Sequence, residues 1–188
     1  MSELRALLRN ATAPLHARVE AAYAGFDIER QDGYFHFLRA HSRVLGAVEV
    51  ALEQAGIVRL LDDWPARARR HTLLADLTEL DTPAPTALPP PQLPDEASCW
   101  GAAYVLEGSR LGGTILARRR RQIDPAAPVS YLEHGDVAKL WPTFLARLET
   151  ASSCAWVPML AAAEATFTLF IAGAALEQAG TSENKKGP

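Results

Sequence analysis

One histidine near the start of the chain stands beside an acid and two arginines at helical spacing. Arg5, Arg9, Thr12, His16 and Glu20 recur at steps of three or four residues, so they share one face of a helix. A metal-bound imidazole commonly donates its second ring nitrogen to a carboxylate, and Glu20 is placed one turn later to accept it. The pattern predicts a metal ligand at His16; the alternative is an ordinary surface histidine paired with Glu20.

A second segment lacks side chains along one stripe of a predicted helix. Gly108, Gly112 and Gly113 occur within the run YVLEGSRLGG, and each interior glycine costs up to about 1 kcal/mol relative to alanine. Gly108 and Gly112 lie one turn apart, so they open the same face to a flat object or to another backbone. Helix packing alone would explain them. Together with a histidine ligand on another helix, they indicate a sandwich for a flat metal macrocycle such as a porphyrin.

The elements that position these residues are predicted to be helices. Apolar residues repeat at steps of three or four from Leu4 to Ala22 and from Tyr34 to near Gly56. Pro14 either lies in a fresh turn capped by Thr12 or kinks one longer helix. Further helices are predicted at Ala66–Leu80, from an Asp95 cap to about Arg121, at Val137–Thr150 and at Ser153–Ala179.

The remaining patterns complete an all-α prediction. Six prolines between Pro83 and Pro94 predict an extended surface connection. No segment alternates like a strand, so we expect a single helical bundle of about seven helices. The length of 188 residues predicts one domain, residues 1–180, followed by a flexible tail, residues 181–188.

Composition narrows the classes of function. A formal net charge of -3, with 22% charged residues, provides no electrostatic case for nucleic-acid binding. Cys99 and Cys154 are too few for a disulfide framework or a zinc site, which indicates core thiols in a reducing compartment. The amino terminus lacks the pattern of a secretion signal, so we expect a cytoplasmic protein. The apolar stretch Ala155–Leu176 contains Pro158 and Glu164, and predicts a buried bundle helix rather than a membrane span.

At these motifs the chain resembles the haem oxygenase family, particularly a bacterial branch that includes enzymes associated with bacteriophytochromes. The resemblance rests on the run ATAPLH that ends at His16, on Glu20 after it, and on the segment from Glu107 to Gly113. It extends through the WPTFL run at Trp141–Leu145 and the pattern that ends at Phe167. The order and separation of these motifs cover nearly the whole chain.

The resemblance implies a role for each matching residue. His16 would be the proximal ligand of the haem iron, and Glu20 would orient its ring. Gly108, Gly112 and Gly113 would form the distal helix, whose backbone lies close over the haem. Arg9 matches a basic residue that contacts the haem propionates. Two further candidates are weaker: Tyr104 for the propionates and Phe167 for the pocket wall, where a core aromatic is the default.

Ser109 departs from the animal-type members of the family. Those members have an aspartate at the matching position, which holds a water network, whereas a serine hydroxyl can organise water without supplying a carboxylate. The resemblance implies cleavage of haem to biliverdin, CO and iron, with electrons from a donor such as ferredoxin or an NADPH-dependent reductase. The basic run Arg118–Arg121 could dock that donor, bind propionates or be a solvated face. A bacteriophytochrome is the implied recipient of the pigment.

Two alternatives remain open at this point. A non-catalytic haem-binding or haem-delivery protein could use the same fold, since fold and ligand do not guarantee turnover. A thiaminase-like hydrolase shares the helical frame, but it would need a nucleophilic cysteine beside acids. Cys99 and Cys154 lie in apolar sequence contexts without such acids. His41, on an apolar stripe, is predicted to be a hydrogen-bonded core residue.

Overall fold

A computed structural model describes residues 3–151 and 156–184, and within these ranges the chain is helical without strands. Seven α-helices are present there, six of them ten residues or longer, together with a 3₁₀ turn at Ile57–Arg59. The α-helices are α1 (Glu3–Tyr23), α2 (Gln31–Gln54), α3 (Trp64–Arg67), α4 (Arg70–Glu79), α5 (Glu96–Ile123), α6 (Val137–Leu148) and α7 (Trp156–Asn184). The predicted all-α helical bundle is confirmed.

The first helix runs without a break through its proline. Pro14 lies inside α1, and Thr12 donates its hydroxyl hydrogen to the carbonyl oxygen of Leu8 at 2.8 Å instead of capping a new turn. Of the two arrangements that the sequence left open, the single longer helix is therefore the one that forms. Leu8 and Thr12 are buried, while His16 stands on the exposed flank of the same helix.

The helix predicted at Ala66–Leu80 is wrong at its start, because two helices occupy this region. Ala68 adopts an extended conformation between α3 and α4. The buried carboxylate of Glu49, on α2, accepts the backbone N–H groups of Arg69 at 2.9 Å and Arg70 at 3.0 Å. These N–H groups begin α4 and have no partner within that helix, so a side chain from another helix caps it.

The proline-rich connection lies at the surface without regular secondary structure, and two arginines of α2 hold it in place. Arg39 donates to the carbonyl oxygen of Pro83 at 2.7 Å, and Arg43 donates to that of Thr86 at 3.3 Å. The backbone N–H of Leu88 donates to the carbonyl oxygen of Arg43 at 2.6 Å. The connection therefore lies fixed along α2, although it has no regular structure of its own.

The segment leads into α5 through a capping box that confirms the predicted start of that helix. The Asp95 side chain accepts the backbone N–H of Ser98 at 2.8 Å, and the Ser98 hydroxyl accepts the backbone N–H of Asp95 at 3.2 Å. This pair satisfies two N–H groups that a helix start otherwise leaves unpaired. The residue at which α5 begins is thus determined by neighbouring residues in the chain.

Helix α7 is the central element of the bundle. It packs against α1, α2 and α5, and its buried residues include Ala163, Phe167 and Phe170. Within the described ranges it is the one helix long and apolar enough to cross a membrane by those two measures. Its packing on three helices agrees with the predicted bundle helix. Helical structure continues to Asn184, into the predicted tail, and residues 185–188 lie outside the described part of the chain.

Candidate functional site

His16 and Glu20 lie together on the exposed flank of α1. The Nδ1 atom of His16 is 3.5 Å from Oε1 of Glu20, and 61% of the His16 side chain is accessible to solvent. The imidazole and the ring of Phe167, on α7, lie nearly perpendicular to each other, with 6.2 Å between their centroids. The Nδ1 atom of His16 therefore lies close to a carboxylate, while the rest of the imidazole ring is accessible to a ligand.

Helices α1 and α5 come near each other at Thr12 and Tyr104, which lie four residues before His16 and Gly108. The Thr12 side chain and the positive charges of Arg5 and Arg9 all act on the Tyr104 phenol, and each of them lowers its pKa. Burial is the largest influence on this group and raises the pKa of Tyr104, so the phenol remains neutral at physiological pH. Arg9 and Tyr104, named separately from the sequence, thus belong to one polar cluster between the two helices.

The glycines of α5 do not all face the same side. A side chain at Gly112 would meet no atom within 4 Å, and one at Gly108 would make only ordinary contact with the Trp141 ring at 3.7 Å. A side chain at Gly113 would lie 2.9 Å from the carbonyl oxygen of Leu132. Gly108 and Gly112 therefore leave space open, whereas Gly113 allows a close approach of the loop behind α5.

Two apolar side chains flank the open glycine. Leu111 is 46% exposed and Ile115 is 64% exposed, and they lie next to each other on the helix surface. With Gly108 and Gly112 they form one exposed, apolar side of α5. A flat apolar molecule with a metal centre, held by an exposed imidazole and by cations at one edge, fits this set of residues.

A buried ion network supports the opposite side of α5, and the sequence analysis missed it. Glu107 accepts from Arg67 at 2.6 Å and from Arg110 at 2.8 and 2.9 Å, and all three side chains are at most 2% exposed. The spacing of Glu107 and Arg110 could have suggested a local pair. Nothing in the sequence pattern joins Arg67 to them, because that pairing depends on how α3 packs against α5.

Ser109 is held from the same region. Arg69, on the connection between α3 and α4, donates from Nη2 to the Ser109 hydroxyl oxygen and to the carbonyl oxygen of Leu106. The Ser109 hydroxyl itself donates to the carbonyl oxygen of Leu106 at 2.7 Å. The residue that departs from the animal-type pattern is therefore in contact with a buried cation.

His41 and the arginines of the basic run Arg118–Arg121 were also singled out in the sequence, and the structure shows partners for most of them. His41 donates from Nδ1 to the carbonyl oxygen of Phe37 at 2.9 Å, and burial lowers the pKa of His41 to about 4, so the predicted hydrogen bond is present on a neutral, half-buried residue. In the basic run, Arg119 pairs with Glu29 and Arg121 with Glu133. Arg120 is buried against the ring of Tyr34 and is not part of a solvated face.

The cysteines provide no support for a hydrolase. Cys99 is buried as predicted, and burial raises the pKa of its thiol, which disfavours the thiolate that a nucleophile requires. Cys154 lies outside the described residues.

Comparisons with known proteins point to one family. No protein-family model matches the chain. A protein named haem oxygenase from Xanthomonas campestris pv. campestris (strain 8004) is 38% identical over 144 residues, which span 74% of this chain and 87% of the relative.

Solved structures share the fold at low sequence identity. The NO- and CO-bound haem oxygenase from Neisseria meningitidis superposes with a TM-score of 0.77 at 18% identity, covering 93% of this chain and 91% of that one. Haem oxygenase from Leptospira interrogans superposes with a TM-score of 0.74 at 18% identity, covering 93% and 100%. The helical frame is common to these proteins, and the identity and coverage of the Xanthomonas relative show that the chain belongs to the haem oxygenase family.

Proposed function

We propose that this protein is a haem oxygenase that uses O2 and external electrons to open haem to biliverdin, CO and ferrous iron. The observation that carries the proposal is the exposed imidazole of His16, with the Glu20 carboxylate 3.5 Å from its Nδ1 atom. Glu20 fixes the ring orientation and makes the other nitrogen a better ligand. In this proposal His16 would be the protein side chain that binds the haem iron.

The exposed side of α5 would hold the haem together with His16. Gly108 and Gly112 present backbone without side chains, while the exposed Leu111 and Ile115 provide apolar contact. When bound, the haem supplies both the O2 chemistry and the carbon that is oxidised. The chain's residues hold it in position, exclude bulky groups from the reacting side and, through the Ser109 hydroxyl, order water there.

The polar cluster between α1 and α5 binds the haem propionates. Arg9 supplies a cation and Tyr104 a neutral hydroxyl, with Arg5 close to the same phenol. Hydrogen bonds from a guanidinium to a carboxylate are among the strong ones, so this cluster determines how the haem is rotated in the cleft. Phe167 closes the inner wall next to His16.

The partners are a further part of the proposal. An external donor, such as ferredoxin or an NADPH-dependent reductase, supplies the electrons in the cytoplasm, and the exposed arginines of the run Arg118–Arg121 offer it a basic docking surface. The biliverdin product supplies a bacteriophytochrome with its chromophore. This partner assignment fails if the product never reaches an apo-phytochrome in a reconstituted mixture.

A non-catalytic haem carrier is the second candidate. Ser109 favours it, because a hydroxyl stands where the animal-type members have an aspartate. A carrier would bind haem through the same residues and would leave the ring intact.

A haemin titration separates the two candidates. We expect a Soret band when haemin is added to the apoprotein, and its replacement by the broad red absorption of biliverdin after ascorbate or a ferredoxin system is added in air. A Soret band that persists under reduction would identify a carrier. The absence of any Soret band would contradict the whole proposal.

Replacing the ligand tests the role of His16 directly. His16→Ala should remove the spectrum of the imidazole-bound ferric haem, although some haem remains through apolar contacts. His71→Ala is the matched control, because His71 is also exposed and on a helix. An unchanged spectrum in His16→Ala would refute the ligand assignment.

A bulky residue at the open glycine tests the haem-facing side of α5. Gly112→Leu should weaken haem binding by at least about tenfold, because the side chain would occupy the space that the haem needs. Gly180→Leu is the matched control, since a side chain there also meets no atom within 4 Å. Equal affinity in the two variants would show that Gly112 does not face the haem.

A further inference from the structure

Arg69 is a buried cation whose guanidinium forms no ion pair with a carboxylate in the part of the chain that the structure describes, although the charge of Glu49 acts on it. Its side chain is 2% exposed, and no ion pair involves its guanidinium among residues 3–151 and 156–184. Glu49 is nearby, but it accepts the backbone N–H of Arg69 and not the side chain. An unpaired buried charge is costly, so the position of this guanidinium needs a reason.

The guanidinium is directed at one turn of α5. Its Nη2 atom donates to the carbonyl oxygen of Leu106 at 2.9 Å and to the hydroxyl oxygen of Ser109. Its carbon Cζ lies 4.9 Å from the ring centre of Tyr131, which covers the cation from the loop side. These contacts hold the positive charge beside Ser109, the residue after Gly108. The Arg69 guanidinium is not one of the partners of Glu107 in the buried ion network.

The shared acceptor leaves the Ser109 hydrogen free to turn. The hydroxyl donates to the Leu106 carbonyl oxygen in this structure, but that oxygen also accepts from Arg69. When the hydroxyl hydrogen turns away, the carbonyl keeps a partner, so the cost of leaving it unsatisfied does not arise. Donation from a cation to the Ser109 oxygen also polarises the hydroxyl and makes it a stronger donor.

We propose that Arg69 is a positioning residue for the haem-degrading reaction, which holds the Ser109 hydroxyl in place and directs its hydrogen to a water molecule at the proposed haem site. The inference rests on the proposed function. Arg69 and Ser109 together thus replace the carboxylate of the animal-type members. The cation polarises the hydroxyl, and the hydroxyl donates the hydrogen bond to the water molecule. Arg69 acts through Ser109 and does not itself contact the haem.

The ionisation of the water ligand on ferric haem reports on this pair. A metal lowers the pKa of its bound water, and a hydrogen-bond donor backed by a positive charge stabilises the hydroxide form further. Arg69→Gln and Ser109→Ala should each raise the midpoint of the pH-dependent spectral change by about one unit, tenfold in the ionisation constant. In both variants, more of the donor's electrons should reduce O2 to hydrogen peroxide, and less biliverdin should form.

A double variant distinguishes action through Ser109 from a general effect. If Arg69 acts through the hydroxyl, Arg69→Gln combined with Ser109→Ala should shift the midpoint no further than Ser109→Ala alone. Additive shifts would overturn the proposal. Ser109→Ala keeps the test valid if Arg69→Gln folds poorly, because alanine is a good helix former at an exposed helical position.

Arg70→Gln is the matched control. Arg70 is the next residue in the chain, and its guanidinium pairs with Glu49 and Glu53 on α2. It should leave the midpoint unchanged. A midpoint that also stays unchanged in Ser109→Ala would overturn the role of Arg69, while wild-type haem binding would leave the proposed function standing. Failure of the wild-type protein to bind haemin would overturn both.

Discussion

The two sides of α5 differ in almost every physical property, although they belong to one continuous helix. The open side consists of Gly108, Gly112 and the exposed Leu111 and Ile115. The closed side carries the ion network around Glu107, with three charged side chains that are at most 2% exposed. The closed side holds the helix rigidly in the bundle, so that the open side can remain without cover.

The glycines of α5 also differ according to the side of the helix on which they lie. Gly101 and Gly113 are required by close approach, because a side chain at Gly101 would overlap the carbonyl oxygen of Met159 and one at Gly113 would press on that of Leu132. Gly112 has no such neighbour. A glycine that packing does not require, in a helix where it costs stability, is the one to associate with a ligand.

The largest effect on stability is expected when Glu107, on the closed side, loses its carboxylate. Glu107→Ala should lower the free energy of unfolding by about 3–5 kcal/mol, because it leaves the buried guanidiniums of Arg67 and Arg110 without their shared carboxylate. Urea denaturation measures this change. The control is Glu133→Ala, whose carboxylate is 45% exposed and pairs with Arg121; it should cost at most about 1 kcal/mol. Equal losses would show that the closed side is no stronger than a surface pair.

Alanine substitutions at adjacent glycines should have effects of opposite sign. Gly113→Ala should destabilise the protein by about 1–3 kcal/mol, because the new side chain would lie 2.9 Å from a backbone oxygen that must move. Gly112→Ala should stabilise the helix by up to about 1 kcal/mol, since nothing lies within 4 Å. Thermal unfolding of both apoproteins measures the difference. If both variants were destabilised, the open side would be part of the packed core.

The smallest expected effect is a pH dependence on the closed side. Burial, followed by the charges of Arg110 and Arg69, lowers the pKa of His134 to about 4. Between pH 6.5 and about 4 the unfolded state therefore binds more protons at this residue, so its contribution is complete above pH 6.5 and is lost as the pH falls.

A substitution isolates this contribution. Between pH 7.5 and 4.5, the wild-type protein should lose about 1–2 kcal/mol more stability than His134→Gln, a figure reduced for the partial exposure of the ring. Urea denaturation at both pH values gives the two slopes. Parallel stability curves would mean that protonation of His134 is not opposed by the neighbouring arginines.

Features that depend on residues close together in the chain were predictable from the sequence. The three-to-four-residue apolar repeat gave the all-α class, the Asp95 cap marked the start of α5, and the spacing of His16 and Glu20 brought their side chains together. In each case the geometry of a single helix determines which residues are neighbours. The break between α3 and α4 escaped the sequence analysis, because its cap, Glu49, comes from α2.

The sequence by itself determined the helices and the row of residues on each, because helical periodicity is a local property. Only the tertiary structure decided which glycine faces open space, that Arg69 reaches Ser109, and that Glu107 joins Arg67 to Arg110. These contacts depend on the rotation and crossing of helices, which the burial of apolar surface over the whole bundle determines.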